Sequence, residues 1–368
     1  MKRIRYGRIA AIVTAGALAL TACGNDPASD SGNNNGGGGE TAAESDLTGT
    51  LAGSGATSQE SAQNAWIAKF GEANPDVDLS YDPVGSGGGR KAFLEGGVQF
   101  AGSDAALTEE ERATAKEKCG ADAYDLPLYI SPIAVVYNLK DVKNLQLAPA
   151  TIAKIFDGKI ATWNDPAIAA DNPGVTLPTG AITPINRSDE SGTTKNFTDY
   201  LSKTAPADWT YKPDGNWPRQ GTQSANGTSG VIQAVQAAEG TIAYADHSQA
   251  GSLGVAKIKV GDAYVEPTAE GAAKVVEESP KVEGLPEHDL AIDLKRDTTT
   301  AGAYPLLLVS YIVVCSKYSD AEKGKLVKAY VSYIASEDGQ KVAAEEAGSA
   351  PISDALRSDV DAAVKAIS

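Results

Sequence analysis

The chain has 368 residues, with 32 basic and 48 acidic side chains and a formal net charge of −16 at pH 7. This length can hold two domains with buried cores, and the surplus of acid argues against a nucleic-acid partner. Because long-range attraction cannot draw an anion to so acidic a protein, any anion site must bind through local, directed hydrogen-bond donors.

The N-terminal segment predicts export and a tether. Basic residues precede an apolar run at 9–20, which has the length of a signal sequence and is short for a membrane span. The sequence then reads Leu-Thr-Ala-Cys-Gly and resembles a bacterial lipobox, so we expect a signal peptide at 1–22 and acylation of Cys23. A cleavage site without lipid is the alternative, but it would need no cysteine. Residues 23–46 are rich in Gly, Asn, Ser and acid, which predicts a flexible linker.

Two early junctions between a predicted strand and a predicted helix consist of small residues. Residues 47–52 alternate like a strand and lead into Gly-Ser-Gly-Ala-Thr-Ser at 53–58. Residues 77–81 lead in the same way into Val-Gly-Ser-Gly-Gly-Gly-Arg at 84–90. A helix start points unpaired backbone N–H groups outward, with the positive end of the helix dipole behind them. No Gly-Lys-Ser/Thr follows the glycines, which argues against a nucleotide-binding P-loop.

A further junction, at 98–104, ends in an acid. A carboxylate can only accept hydrogen bonds. Hydrogen phosphate carries an O–H at neutral pH and sulfate does not, so Asp104 in an anion site would accept from phosphate and repel sulfate. The alternative is that Asp104 caps a helix predicted at 107–118, whose first turn holds three glutamates.

Residues 186–194, Asn-Arg-Ser-Asp-Glu-Ser-Gly-Thr-Thr, follow a strand-like run and precede a helical pattern. Ser191 is a good N-cap, Gly192 lets a ligand approach the backbone, and Thr193 adds a hydroxyl donor. Arg187 can fork onto two oxygens of a tetrahedral oxyanion. The stretch predicts an anion clamp, and the alternative is an ordinary capped helix with a surface arginine.

Taken together, the motifs at 55–58, 85–88, 101–104 and 187–193 resemble, in order and spacing, those of the phosphate-binding protein of the bacterial phosphate ABC importer. The resemblance covers nearly all of residues 47–368. It implies an α/β fold of the type II periplasmic-binding-protein kind, in which two lobes are joined by two hinge crossovers. It also implies a dehydrated phosphate held between the lobes by hydrogen bonds, without a cofactor.

The resemblance transfers a set of ligand residues to this chain. The implied phosphate-binding residues are Thr57, Ser58, Ser86, Asp104, Arg187, Ser191, Gly192 and Thr193. Asp104 is expected to accept the phosphate proton, while the others donate, and Asp189 is expected to steady Arg187. Two positions depart from the family. Ser58 stands where an aromatic residue is common, and Glu190 stands where a small residue is frequent. We expect neither to change the ligand, although either can weaken affinity.

The resemblance also divides the chain. We expect residues 47–130 plus 306–368 to form the first lobe and residues 131–305 to form the second. Pro132 lies between two apolar runs and suits a hinge crossing better than a central strand. A long irregular loop is predicted at 209–230, either on the rim of the cleft or facing the permease.

Other segments give coarser predictions. Trp163 is expected in the core. A helix is predicted at 230–239, followed by a strand at 240–245. The continuous apolar run at 306–315 suits a strand buried on both faces, and an amphipathic pattern predicts one long helix at 320–345.

With Cys23 acylated, two cysteines remain. Cys119 and Cys315 border apolar runs, and an exported chain permits a disulfide between them if those runs are neighbours. Two separate buried thiols are the alternative. His247 and His288 match no familiar spacing for a metal site with the cysteines.

The sequence therefore predicts a monomeric, lipid-anchored receptor on the extracytoplasmic face of the cell membrane. It would capture inorganic phosphate by hinge closure and deliver it to an ABC permease. One alternative is the same fold with another oxyanion, sulfate or molybdate. Another is a phosphatase or serine hydrolase using Ser191 or Ser86, which would need a histidine base, whereas both histidines lie outside the motifs. On a sensing or surface role the sequence is silent.

Overall fold

The structure, a computed structural model, describes residues 46–368. The predicted signal peptide at 1–22, Cys23 and the linker up to residue 45 lie outside the described residues. Residues 46–368 include no helix whose length and apolar character would let it cross a membrane.

Strands and helices alternate through most of the described chain. The strands are β1 (Gly49–Gly55), β2 (Val77–Asp82), β3 (Phe100–Ser103), β4 (Ala123–Tyr137), β5 (Gln146–Leu147), β6 (Thr183–Arg187), β7 (Gln223–Ala225), β8 (Thr241–Asp246), β9 (Gly254–Val260), β10 (Ala263–Val265) and β11 (Leu307–Cys315). The helices are α1 (Glu60–Ala73), α2 (Ser86–Glu95), α3 (Glu109–Cys119), α4 (Pro149–Phe156), α5 (Pro166–Asp171), α6 (Gly192–Thr204), α7 (Gly227–Ala237), α8 (Ala269–Glu278), α9 (Ala321–Ala335), α10 (Glu337–Ala347) and α11 (Asp354–Ala366). Short 3-10 turns occur at Thr57–Gln59 and His247–Gln249.

The strands pair in the order β2-β1-β3-β11-β4-β8-β6-β7, and β9 joins β4 to β5 and β10. In the first half of the sheet, β1 lies parallel to β2 and β3, and β11 runs antiparallel to β3. In the second half, β6 lies parallel to β7 and β8. Because parallel neighbours end at the same edge, the loops after β1 and β3 meet on one side of the first half.

Strand β4 belongs to both halves. It is 15 residues long and buried along its whole length. Up to Pro132 it pairs with β11, where Pro132 faces Leu307, and from Ile133 it pairs with β8, where Ile133 faces Asp246. Pro132, which has no N–H to give to a ladder, therefore lies inside β4 at the point where the strand changes partners.

The core of the second half is aromatic. Trp163 is fully buried, which confirms its predicted place in the core, and its indole N–H donates to the carbonyl of Gly240 at 3.3 Å. Phe197 of α6 stacks on Tyr244 of β8, with ring centroids 4.2 Å apart. This stack fixes α6 against the sheet.

The predicted helix at 320–345 is wrong as a single element, because α9 ends and α10 begins at Ser336. Ser336 has extended backbone, and its hydroxyl accepts from the N–H of Gly339 to cap α10. A serine that caps a new helix start competes with continuation of the old helix. The apolar spacing runs across the break, so periodicity alone did not reveal it.

The predicted loop at 209–230 is shorter than expected. It contains β7, and α7 starts at Gly227 instead of residue 230. Strands β9 and β10 and helix α8, which lie between the predicted strand at 240–245 and β11, have no counterpart among the predicted elements.

A disulfide joins Cys119, at the end of α3, to Cys315, at the end of β11, with Cα atoms 5.5 Å apart. The two residues are 196 positions apart in sequence. The bridge therefore closes a loop that includes the whole second half of the sheet.

Reduction of this disulfide should lower the free energy of unfolding by about 2–5 kcal/mol, because the unfolded chain then regains the freedom of a long loop. Denaturant titrations of the oxidised and reduced protein measure the difference, with the Cys119→Ser/Cys315→Ser variant as the control that reducing agent should not affect. Reactive thiols at both positions in the unfolded, unreduced protein would contradict the bridge.

Asp246 ends β8 as a fully buried acid. Its carboxylate accepts hydrogen bonds from the Tyr129 hydroxyl at 3.2 Å and from the N–H and hydroxyl of Ser248 at 3.0 and 2.6 Å. Burial outweighs these donors and raises the pKa of Asp246 to about 7. The folded protein thus holds this proton more tightly than the unfolded chain does.

Protonated Asp246 should stabilise the folded protein fully at a pH below the pKa of this group in the unfolded chain. This stabilisation should be lost as the pH rises through the folded-state pKa of about 7. In Asp246→Asn this dependence disappears. The wild type should therefore lose up to about 4 kcal/mol relative to the variant between acid and mildly alkaline pH. Chemical denaturation across this range measures the difference, and parallel pH curves for the two proteins would refute the assignment.

Candidate functional site

Three chain segments meet beside the sheet: the start of α2, the residue that follows β3, and the start of α6. The Ser86 hydroxyl at the start of α2 accepts from the N–H of Asp104 at 3.1 Å. A Cβ atom added to Gly192, the first residue of α6, would lie 2.6 Å from both the Ser86 Oγ and the Asp104 Cβ. Only a glycine at 192 lets α6 come this close, so the two helix starts and Asp104 share one small volume.

Asp104 is the centre of this cluster, and the residue is 3% exposed. Its Oδ1 accepts from the hydroxyls of Ser58 and Ser310, both at 2.6 Å. Its Oδ2 accepts from the Thr193 hydroxyl at 2.8 Å. The structure therefore places Asp104 among Ser58, Ser86 and Thr193. The alternative that Asp104 caps α3 is wrong, because Thr108 caps that helix in a capping box with Glu111.

Arg187 and Asp189 form a second pair at the site. The Arg187 Nε donates to Asp189 Oδ1 at 2.8 Å, its Nη2 donates to Oδ2, and the N–H of Gly227 donates to Oδ1 at 3.1 Å. Burial raises the pKa of Asp189, but the hydrogen bonds and charge of Arg187 outweigh it, so the pKa lies below its ordinary value. The carboxylate stays charged and fixes the arginine fork. Both side chains lie against Gly85, the residue before Ser86.

Ser191 caps α6, since its hydroxyl accepts from the N–H of Thr194 at 3.2 Å. The N–H of Ser191 donates to the carbonyl of Gly215 at 2.9 Å. In this conformation the Ser191 N–H, which the family resemblance assigns to the ligand, is therefore occupied by the loop between α6 and β7. That loop rims the site.

Thr57 joins the two halves of the sheet. Its hydroxyl lies 2.8 Å from the Thr228 hydroxyl and accepts from the Thr228 N–H at 3.1 Å. Its carbonyl accepts from the Gln249 side chain at 2.8 Å. Thr57 follows β1, whereas Thr228 and Gln249 belong to the second half. The conformation is thus closed at this point, with Thr57 and Thr228 both buried.

Sequence reasoning missed several residues of this cluster. They are Ser310, Thr228, Gln249 and Asn196. Ser310 had a usable signal, because a serine inside the continuous apolar run at 306–315 needs a polar partner when buried. Asn196, whose side chain donates to the carbonyls of Asp104 and Gly192 at 2.6 and 2.9 Å, sits on the buried face of α6, where asparagine is unusual. Thr228 and Gln249 carried no comparable signal.

Residues 46–368 contain no group of three or more His, Cys, Asp or Glu side chains placed to hold a metal ion. His288 packs edge-on against Tyr124, with ring centroids 5.6 Å apart. His247 follows Asp246, and burial lowers its pKa. The hydroxyls of Ser86 and Ser191 accept from backbone N–H groups, as described above.

Residues 40–338 match the family described as the PBP superfamily domain. The phosphate-binding protein PstS 3 of Mycobacterium tuberculosis (strain ATCC 25618 / H37Rv) is 37% identical over 375 residues, which is 100% of both chains. PstS of Xylella fastidiosa (strain Temecula1 / ATCC 700964) is 31% identical over 304 residues, or 80% of this chain and 79% of that one. A crystal structure of a phosphate binding protein from Stenotrophomonas maltophilia superposes with a TM-score of 0.66 at 21% identity, covering 86% of this chain and 94% of that one.

The sheet and the superfamily match define the class of a two-lobed α/β binding protein, which confirms the predicted fold. The chain belongs to the PstS family of phosphate-binding proteins. Side chains from both halves of the sheet meet at Asp104, where the Thr193 hydroxyl of α6 donates to the carboxylate that follows β3.

Proposed function

We propose that this protein captures inorganic phosphate between its lobes outside the cytoplasm and delivers it to an ABC permease. Full-length similarity to proteins named PstS supports phosphate as the ligand and the transporter as the partner. The observation that carries the proposal is the buried Asp104 carboxylate, which is surrounded by donor groups from both lobes.

The chemistry of the site favours a protonated oxyanion. Helix starts at Ser86 and Gly192 and the guanidinium of Arg187 offer donors to ligand oxygens. Asp104 only accepts, so a guest beside it must supply a hydrogen. Hydrogen phosphate does so, whereas sulfate and molybdate would place charge against charge.

The proposed ligand set is the one that the family resemblance implies. It comprises Thr57, Ser58, Ser86, Asp104, Arg187, Ser191, Gly192 and Thr193, with Asp189 supporting Arg187. For Ser191, the Gly215 contact means that its backbone N–H reaches the ligand only if the rim loop shifts. Ser58 carries a hydroxyl that donates to Asp104, a role that a phenylalanine at this position could not have. The lobe boundaries at 130/131 and 305/306 belong to the same proposal.

The proposal includes lipid attachment at Cys23, with residues 23–46 as the tether of a monomeric receptor. The lipobox-like sequence supports it. A hydrolase is not favoured, because the partners of the Ser86 and Ser191 hydroxyls are the backbone N–H groups of Asp104 and Thr194 and not a histidine base.

Calorimetry with phosphate and with sulfate tests the ligand. At mildly alkaline pH, phosphate should bind and an excess of sulfate should not compete. Asp104→Asn should weaken phosphate binding by about 10- to 100-fold, the loss expected for one hydrogen bond to a charged group. The same variant should also reduce the preference of the protein for phosphate over sulfate, because the asparagine amide can donate a hydrogen bond to a sulfate oxygen. Equal competition by sulfate in the wild type would refute the argument from Asp104.

Arg187→Ala should weaken phosphate binding by about 10- to 100-fold or more while the fold persists, because it removes charge-assisted donors from a buried site. Arg219→Ala is the matched control. Arg219 pairs with Asp157, so this substitution removes an arginine charge without touching Arg187 or Asp189. Titration and thermal unfolding measure both variants. Unchanged affinity in Arg187→Ala would remove the arginine from the site.

A further inference from the structure

An ion pair connects the two lobes beside the proposed site. Arg90 lies one turn into α2, the helix that Ser86 begins, and Glu190 directly precedes Ser191, the cap of α6. The Arg90 Nη2 and the Glu190 Oε1 are 3.1 Å apart. The other partners of Arg90, Glu111 Oε1 at 2.8 Å and Ser103 Oγ at 3.0 Å, belong to its own lobe.

The Glu190 carboxylate lies close to two glycines, Gly87 and Gly215. A Cβ atom added to Gly87 would lie 1.8 Å from its Oε2, and one added to Gly215 would lie 2.1 Å from its Oε1. Gly87 belongs to the first turn of α2, and Gly215 is the loop residue that accepts from the Ser191 N–H. Any side chain at position 87 or 215 would therefore collide with the Glu190 carboxylate, and glycine at both positions leaves room for it.

The pair is shielded from water on the arginine side. The Arg90 side chain is 7% exposed and the Glu190 side chain is 30% exposed, and the Glu190 Oε2 is buried without a partner. Burial lowers the pKa of Arg90, but the charges of Glu190 and Glu111 outweigh it and raise the pKa. Desolvation of Arg90 and partial screening of Glu190 by water both limit the net contribution of the pair, so its effect on release should be modest.

We propose that Arg90 and Glu190 are positioning residues that hold the start of α2 against the start of α6 in the closed conformation and thereby slow the release of bound phosphate. The inference rests on the proposed function. Opening the lobes separates Glu190 from Arg90, while Arg90 keeps Glu111 and Ser103. The bridge is therefore present in the closed conformation and absent in the open one, so it favours the closed conformation. Contacts within one lobe are the same in both conformations and cannot do this.

Glu190 also places a negative charge near an anion site, and this charge has a separate kinetic effect. Repulsion of an approaching anion slows association. The bridge acts after closure and slows dissociation. Rate constants for association and release therefore separate the two effects, whereas an equilibrium affinity would mix them.

The test is stopped-flow measurement of phosphate association and release for the wild type and three variants. Glu190→Gln removes the charge and the bridge, while Glu190→Asp keeps the charge on a side chain one methylene shorter. Glu111→Gln is the control, because it removes a charge from the same arginine within one lobe, and glutamine can still serve in the capping box at Thr108.

Release should accelerate by about three- to tenfold in both Glu190 variants, as expected for a partly buried ion pair. Association should not slow in Glu190→Gln, and Glu111→Gln should release phosphate within about twofold of the wild type. If Glu190→Asp releases like the wild type, or if neither Glu190 variant releases faster, the bridge has no such role. Failure of the wild type to bind phosphate would instead overturn the proposed function.

Discussion

The structure depends on one buried carboxylate. Asp104 accepts from three hydroxyls, Ser58, Ser310 and Thr193, which belong to three different segments of the chain. A buried charge without partners would be costly, and this one is satisfied by groups that only the complete fold assembles. The same carboxylate thus organises the protein and sets the chemistry that a guest must match.

The surroundings of Asp104 extend this constraint to the crossing between the lobes. Asn196 donates to the Asp104 carbonyl, and its own side-chain oxygen accepts from Arg296. Arg296 is fully buried and also donates to the carbonyls of Pro305 and Leu307, where β11 begins. Burial lowers the pKa of Arg296, but the nearby Asp199 carboxylate offsets part of that effect. A chain of hydrogen bonds therefore links the site to the strand that leads back into the first lobe.

Local patterns predicted the elements that hold the site, because small-residue junctions and the Ser191 cap are properties of short segments. The pairing partners were not predictable in that way. Ser310 reaches Asp104 only because β11 inserts between β3 and β4, and Thr228 reaches Thr57 only because the lobes meet. The break at Ser336 is a local feature that the local pattern did not predict. The amphipathic pattern continues across Ser336, and whether this serine caps a new helix depends on how the following turn packs in the fold. The sequence marks Glu190 only as a departure from the family that can weaken affinity, because its partner Arg90 lies 100 positions away.

The shared strand β4 has a consequence for the energetics of capture. Since β4 and β11 stay hydrogen-bonded up to the pair of Pro132 and Leu307, the lobes are joined by sheet and not by a loose connection. A joint of this kind restricts the relative orientations that the separated lobes can sample. Less conformational entropy is then lost on closure, and a larger share of the interaction free energy is retained as affinity. A strand that touches no ligand would in this way contribute to how tightly a small ion is held.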